Sequence, residues 1–190
     1  MAQIEIPDRY ADPGALLAAA HELDGGDKVR LRLTRPSDAE RVRDFLEQLS
    51  PESRRMRFLV PMPTVSQATV RHFTFYDPRE RLVLAATLPV DGRERIAGLA
   101  DVVLLETGLA EIGVVVADDQ CGRGLGKLLA EAVATIALRH GATHLKAEML
   151  DRNGAMLAIM RRLGSTVTTV EQGNSVVYTK LNPQALRHAA

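Results

Sequence analysis

The chain has 190 residues, 46% hydrophobic and 25% charged, which suits one soluble domain with a sizeable core. Its 24 basic and 24 acidic side chains cancel, so there is no electrostatic footprint for nucleic acid, and a single cysteine excludes an internal disulfide and points to a reducing cytoplasm. No apolar run approaches the ~20 residues of a membrane helix, and the N-terminus lacks the charged and apolar regions of a signal peptide.

Residues 1–28 read as an N-terminal extension broken by Pro7, Pro13-Gly14 and Gly25-Gly26, with a short helix expected over 16–23. Residues 29–33 alternate apolar and basic side chains, the pattern of a half-buried first strand. Ser37-Asp38-Ala39-Glu40 reads as a capping box opening a helix to about Leu49. Ser50-Pro51 starts a second helix through Phe58, and a third piece covers 66–73 before Asp77-Pro78. Three successive strands follow at 81–88, 95–105 and 110–117, with turns at Asp91-Gly92 and Thr107-Gly108 that make them antiparallel neighbours. A glycine-rich loop leads into a long helix that stops at His140-Gly141. A strand at 144–150 and a helix at 154–163 come next, with Gly164 expected as a second terminal glycine. The last hairpin pairs 166–170 with 176–181 around Gly173-Asn174, and 182–190 form a tail. The sum is an α/β fold with a mixed sheet, and no internal repeat breaks it.

Between the valine-rich strand and the long helix lies Cys121-Gly122-Arg123-Gly124-Leu125-Gly126-Lys127. Three glycines there leave backbone N–H groups open over a helix start, where the dipole is positive, and that is a site for phosphate. A dinucleotide fingerprint needs a glycine where Lys127 stands. A Walker loop needs a glycine at Cys121 and a hydroxyl at Leu128, so both readings fail. A glycine turn that only lets strand and helix pack closely is the alternative.

Val114-Val115-Val116-Ala117-Asp118-Asp119-Gln120 followed by that loop resembles the acyl-coenzyme A loop of the GNAT N-acetyltransferases, with Cys121 where that family has Gln or Arg. The resemblance covers residues 29–181 and implies the GNAT fold, a mixed and mostly antiparallel central sheet flanked by helices. It also implies acetyl-coenzyme A as cosubstrate, with no metal. Residues Leu49-Ser50-Pro51-Glu52-Ser53-Arg54-Arg55-Met56-Arg57-Phe58 further resemble the catalytic domain of actinobacterial protein lysine acetyltransferases, although a solvated basic helix would read the same way. Relatives there carry a cyclic-nucleotide-binding domain, for which 28 preceding residues are too few. Asn153-Gly154-Ala155-Met156 resembles the family's last motif, which implies that Asn153 and Met156 lie beside the pantetheine arm. Met160 stands where many members have a tyrosine general acid, and it reads most simply as core.

In the family pattern Ala-Glu-x-x, matched by Ala110-Glu111-Ile112-Gly113, the glutamate is the base that takes the amine proton. The resemblance therefore implies Glu111 as catalytic residue, the alternative being a strand-edge acid facing water. Asp101 and Glu106 are reserve bases or holders of a cationic acceptor. The backbone of Val114, Val115 and Val116 would pair with the pantetheine arm, and a nearby N–H would polarise the thioester. Arg123 and Lys127 would add charge at the pyrophosphate. Asp118-Asp119 reads as a solvated turn, His140 and His144 as no metal pair, and His72 as an exposed residue bordering the acceptor cleft. Cys121 sits at a helix start, which lowers a thiol pKa, yet no histidine lies near to act as its base. The implied acceptor is a primary amine, with a protein lysine ahead of a small molecule. A non-catalytic acyl-coenzyme A sensor is the rival from another class, and the last hairpin offers an edge for a homodimer.

Overall fold

In the computed structural model, which describes residues 17, 19–106, 108–184 and 186, alternating apolar residues build one eight-stranded sheet. The strands are β1 (Ala20–Glu22), β2 (Lys28–Leu33), β3 (Arg81–Val90), β4 (Arg93–Glu106), β5 (Leu109–Val116), β6 (His144–Met149), β7 (Gly164–Glu171) and β8 (Asn174–Leu181). Their spatial order is β1-β2-β3-β4-β5-β6-β8-β7, and every pairing is antiparallel except β5 with β6. Among the described residues five helices flank it: α1 (Ala39–Gln48), α2 (Pro51–Phe58), α3 (Gln67–Thr74), α4 (Leu125–Arg139) and α5 (Gly154–Leu163).

Strand period two sends neighbouring residues to opposite layers. Val83, Ala85, Leu99 and Val115 pack with Phe45 and Leu46 of α1 and Phe73 of α3. Leu84, Ala100, Ala110 and Ile112 pack with Leu129 and Val133 of α4 and Met160 and Leu163 of α5. Each fully buried leucine or phenylalanine here contributes roughly 1.5–3 kcal/mol. Helix α4 is buried along most of its length, so the residues that start it are fixed relative to β5.

Four expectations change. Residues 20–22, placed in a helix, form β1, because pairing His21 with Val29 outweighs the weak helical preference of an alanine-rich stretch; residues 16 and 18 lie outside the described residues. Ser37 opens no capping box. Instead Asp38 accepts from the Arg35 backbone N at 2.8 Å and from Arg32 Nη1 at 2.7 Å, and a 3-10 turn precedes α1. The last hairpin turns at Gln172-Gly173, and Asn174 begins β8. Gly164 ends α5 without a left-handed cap: its φ of 163° is extended, and it opens β7 directly. Thr107 lies outside the described residues, as does the side chain of Glu106.

Gly164 is needed for space. A Cβ there would lie 2.0 Å from the Lys180 carbonyl oxygen, a backbone atom of the paired strand. Gly164→Ala is therefore expected to destabilise the fold by about 1–3 kcal/mol, read as a lowered thermal midpoint. An unchanged midpoint would contradict the register at this corner.

Candidate active site

β5 and β6 run side by side for only three pairs, Leu109 with His144, Ala110 with Leu145 and Glu111 with Lys146. Beyond them the strands part. Residues 112–116 keep β4 on one side, from Ile112 opposite Val102 to Val116 opposite Gly98, while Ala147, Glu148 and Met149 pair with β8. Among the described residues one edge of 112–116 thus has no strand partner, a place where an extended ligand can pair with the backbone. Val114, Val115 and Val116 lie along this edge, and Glu111 stands at its apex.

The open edge runs into the glycine loop. A 3-10 turn at Asp118–Gln120 leads to Cys121, and Gly122 and Gly124 adopt left-handed φ values of 74° and 83°. Helices α2, α3 and α5 cap their first-turn N–H groups with Ser50, Ser66 and Asn153 side chains. Helix α4 begins at Leu125, with Gly124 as its N-cap residue, and has no side-chain cap. Its early N–H groups, those of Leu125, Gly126 and Lys127, are left without intrahelical acceptors. An anionic pyrophosphate fits that end by charge and by donor supply.

The loop's own charges are largely committed elsewhere. Arg123 reaches back to the β1–β2 turn, donating from Nη1 to Asp27 Oδ2 at 2.7 Å and from Nε to Asp24 O at 3.0 Å. It therefore fastens the N-terminal hairpin to the loop. Lys127 sits 3.9 Å from Glu131 Oε1. Asp118 and Asp119 are exposed on this turn, as expected, and both have partners as well: Asp118 accepts from Ser50 N at 2.7 Å and from Ser50 Oγ at 3.0 Å, anchoring the start of α2, and Asp119 pairs with Arg95 at 2.7 Å. Burial opposes ionisation of Asp118, yet the Ser53 and Ser50 donors hold its carboxyl below the usual range.

Cys121 is not activated. Its sulfur faces the Ala117 carbonyl oxygen at 3.6 Å, and desolvation, with Asp118 and Asp119 nearby, pushes the thiol pKa up. The exposed thiol should therefore react with iodoacetamide more slowly than a free small thiol does near neutral pH. Faster alkylation would contradict that environment.

A cleft lies where the strands part. Its floor includes Glu111, Gly113 and Val114, one wall is Met56 and Arg57 of α2 with Leu59 just beyond it, and the other carries Glu148, Asn153 and Met156. The structure thus brings Glu111 and Val114 together with Asn153 and Met156, from two separate stretches of chain. Asn153 Oδ1 accepts from Met156 N at 3.1 Å, which leaves the amide NH2 for a ligand. Glu111 Oε2 lies 3.4 Å from Lys146 Nζ, its parallel-strand neighbour. Burial works against the Lys146 ammonium, but Glu111 outweighs it and raises the Lys146 pKa. Met160 is fully buried in the core.

Asp101 is not free to serve as a base or to hold an acceptor. It is buried and paired with Arg57, and its second oxygen lies 3.9 Å from His72 Nε2. Burial alone would raise its pKa, but Arg57, His72 and Arg81 together hold its carboxyl below the usual range. Arg57 in turn lies 5.5 Å and 5.4 Å from the Phe58 and Phe73 ring centroids, within cation–π range. Nothing in the helix's own residues marks which arginine of α2 turns inward. Its one trace is Gly113, a glycine inside a valine-rich strand: a Cβ there would sit 2.7 Å from the Arg57 guanidinium and 2.9 Å from Asp101 Oδ1. Among the described residues no group of His, Cys, Asp and Glu could hold a metal ion, and His144 Nδ1 instead meets Thr143 Oγ1 at 2.9 Å. Among them, too, no helix is long and apolar enough to cross a membrane.

A sequence profile of the acetyltransferase (GNAT) domain matches residues 28–166. The acetyltransferase PA5475 of Pseudomonas aeruginosa is 32% identical over 143 residues, 75% of this chain and 77% of that protein. The acetyltransferase Pat of Mycolicibacterium smegmatis is 30% identical over 162 residues, 83% of this chain but 46% of that protein, so the chain spans about half its length. Among solved structures, the GNAT domain of S. lividans PAT superposes with a TM-score of 0.76 at 30% identity, covering 86% of this chain and 96% of that one. An open β5 edge leading into an uncapped glycine loop is how this chain realises the same fold. The chain therefore belongs to the GNAT acetyltransferase family and is an acetyl-coenzyme A-dependent N-acetyltransferase.

Proposed function

We propose that the chain transfers an acetyl group to the ε-amine of a protein lysine, by direct attack in a ternary complex with Glu111 as general base. The observation that carries the reading is the position of Glu111. It is the last paired residue before β5 and β6 part, and it lines the cleft between the open strand edge and α2.

The backbone of Val114, Val115 and Val116 would hold the pantetheine arm as an added strand, with Asn153 and Met156 on the far side. The N–H groups from Gly122 to Lys127, with Cys121 at the loop's entrance, would hold the pyrophosphate. A lysine ammonium with a pKa of ~10.4 must lose a proton before it attacks, and Glu111 would accept it. The acceptor has to displace Lys146 from part of that carboxylate, since the two cations compete for one group. Coenzyme A thiol, like a free thiol of pKa ~8.5, leaves as a thiolate without a tyrosine at position 160. The protein-lysine reading draws on the kinship of residues 49–58 with the actinobacterial lysine acetyltransferases. The boundaries proposed for the catalytic domain are residues 29–181, with 1–28 as extension and 182–190 as tail.

The test is thiol release from acetyl-coenzyme A in the presence of lysine-rich protein, with polyamines, amino sugars and amino acids in parallel. Acetylated lysine detected by mass spectrometry supports the reading. Turnover restricted to a small amine would reassign the acceptor, and binding without thiol release to any acceptor would favour a sensor.

A further inference from the structure

The cleft carries surplus charge of opposite sign on its two walls. On one wall Arg57 is neutralised by Asp101. His72 Nδ1 lies 2.7 Å from Arg81 Nη1, a contact that brings Arg81 no negative charge. Two guanidinium groups, Arg57 and Arg81, therefore share the single carboxylate of Asp101, and no other carboxylate among the described residues pairs with Arg81. On the opposite wall Glu148 bonds, among the described residues, only a neutral partner, the Asn174 amide, at 2.9 Å. Between them Glu111 is matched by Lys146. The sum is one unmatched cation at Arg81 and one unmatched anion at Glu148, both lining the same cleft.

A second groove continues from the cleft between α2 and α3. It shares Arg57, Leu59 and His72 with the cleft and extends past Phe58, Ala68 and Thr69. An extended peptide in this groove could send one side chain down toward Glu111 while its neighbours pass the Arg81–His72 pair.

We propose that Arg81 selects the acceptor: the reactive lysine lies in an acidic segment, its ammonium drawn to the Glu148 side and a flanking carboxylate held by Arg81. The proposal rests on the protein-lysine reading and narrows it. Complementary charge at the rim of a site acts chiefly on encounter and on the rejection of like-charged partners. Arg81 is a specificity-determining residue in this account and takes no part in proton transfer.

Three short peptides test it, each with one lysine, a blocked N-terminus and glutamate, serine or lysine-mimicking arginine on both flanks. Thiol release gives kcat/KM for each with the full chain. The wild type is expected to favour the acidic peptide over the basic one by about 5-fold, mostly through KM, given the modest strength of partly exposed ion pairs. The preference should shrink near 1 M salt, where the Debye length is about 3 Å. Arg81→Gln should abolish it, and Arg81→Glu should reverse it, a reversal that a merely misfolded variant cannot produce. Equal or basic-favouring rates in the wild type would overturn the proposal while leaving acetyl transfer to lysine intact. An acidic preference that survives Arg81→Glu would also overturn it. No thiol release with any of the peptides would overturn the lysine reading and this proposal together.

Discussion

Replacing Glu111 with glutamine is expected to lower turnover about 100-fold while leaving the affinity for acetyl-coenzyme A unchanged. A hundredfold loss corresponds to about 2.7 kcal/mol of transition-state stabilisation, the usual contribution of a positioned base. The amide keeps the shape of the side chain but cannot take a proton from the amine. Affinity should hold because the proposed contacts to the cosubstrate are backbone groups of residues 114–116 and of the glycine loop. The substitution also frees Lys146, whose ammonium now faces Glu111 Oε2 at 3.4 Å. Lys146→Met separates the two effects: it removes the same ion pair but retains the carboxylate, so its turnover should stay well above that of Glu111→Gln. Equal turnover in wild type and Glu111→Gln would remove the base assignment and leave Glu111 as a strand-edge acid.

Asp101→Ala should be the most destabilising single change at the site, by about 3–5 kcal/mol in urea unfolding. Its carboxylate is buried against Arg57, which is enclosed by Phe58, Phe73 and the bare backbone of Gly113. Removing the anion leaves a largely buried cation, its side chain 16% exposed at the cleft wall, without its carboxylate. Because burial costs the pair so much, Arg57→Leu combined with Asp101→Ala should be less harmful than Asp101→Ala alone, a coupling that a double-mutant cycle reads directly. The pair also sets an acid limit. Asp101 has a depressed folded pKa, so it contributes stability above the unfolded carboxylate value of ~3.9, and that contribution disappears as pH falls through the lower folded value. The acid-unfolding profile of Asp101→Ala should accordingly be flatter than that of the wild type. A loss below about 1 kcal/mol would show that Arg57 finds another partner.

The meander β3–β4–β5 and the loop after it were legible because their signals are local. Asp91-Gly92 takes left-handed φ values at both residues, as a tight hairpin requires, and the valines of β5 alternate between two cores. Ser50 and Ser66 announced α2 and α3, and both side chains do cap their helices. What escaped was decided by distant residues. A glycine after a helix looks alike whether it caps or opens a strand, and at Gly164 the Lys180 carbonyl decides. Asp118 is the exposed turn acid it reads as, but that it also anchors α2 shows only once Ser50 and Ser53 are presented to it. Arg123 looks like a phosphate ligand until Asp27 lies across from it. In the cleft, Glu111 and Asn153 carried a family pattern, whereas Arg57 and Arg81 carried none and emerged only from the packing of α2 and α3 on the sheet.

The central claim is that the open edge of β5 and the uncapped start of α4 hold acetyl-coenzyme A. Residue-resolved hydrogen exchange with and without coenzyme A tests it most directly. The account predicts slowed exchange at the amides of residues 114–116 and 122–127, with little change in the β7–β8 hairpin. Binding that leaves those amides exchanging as before, or that protects a different surface, would contradict it.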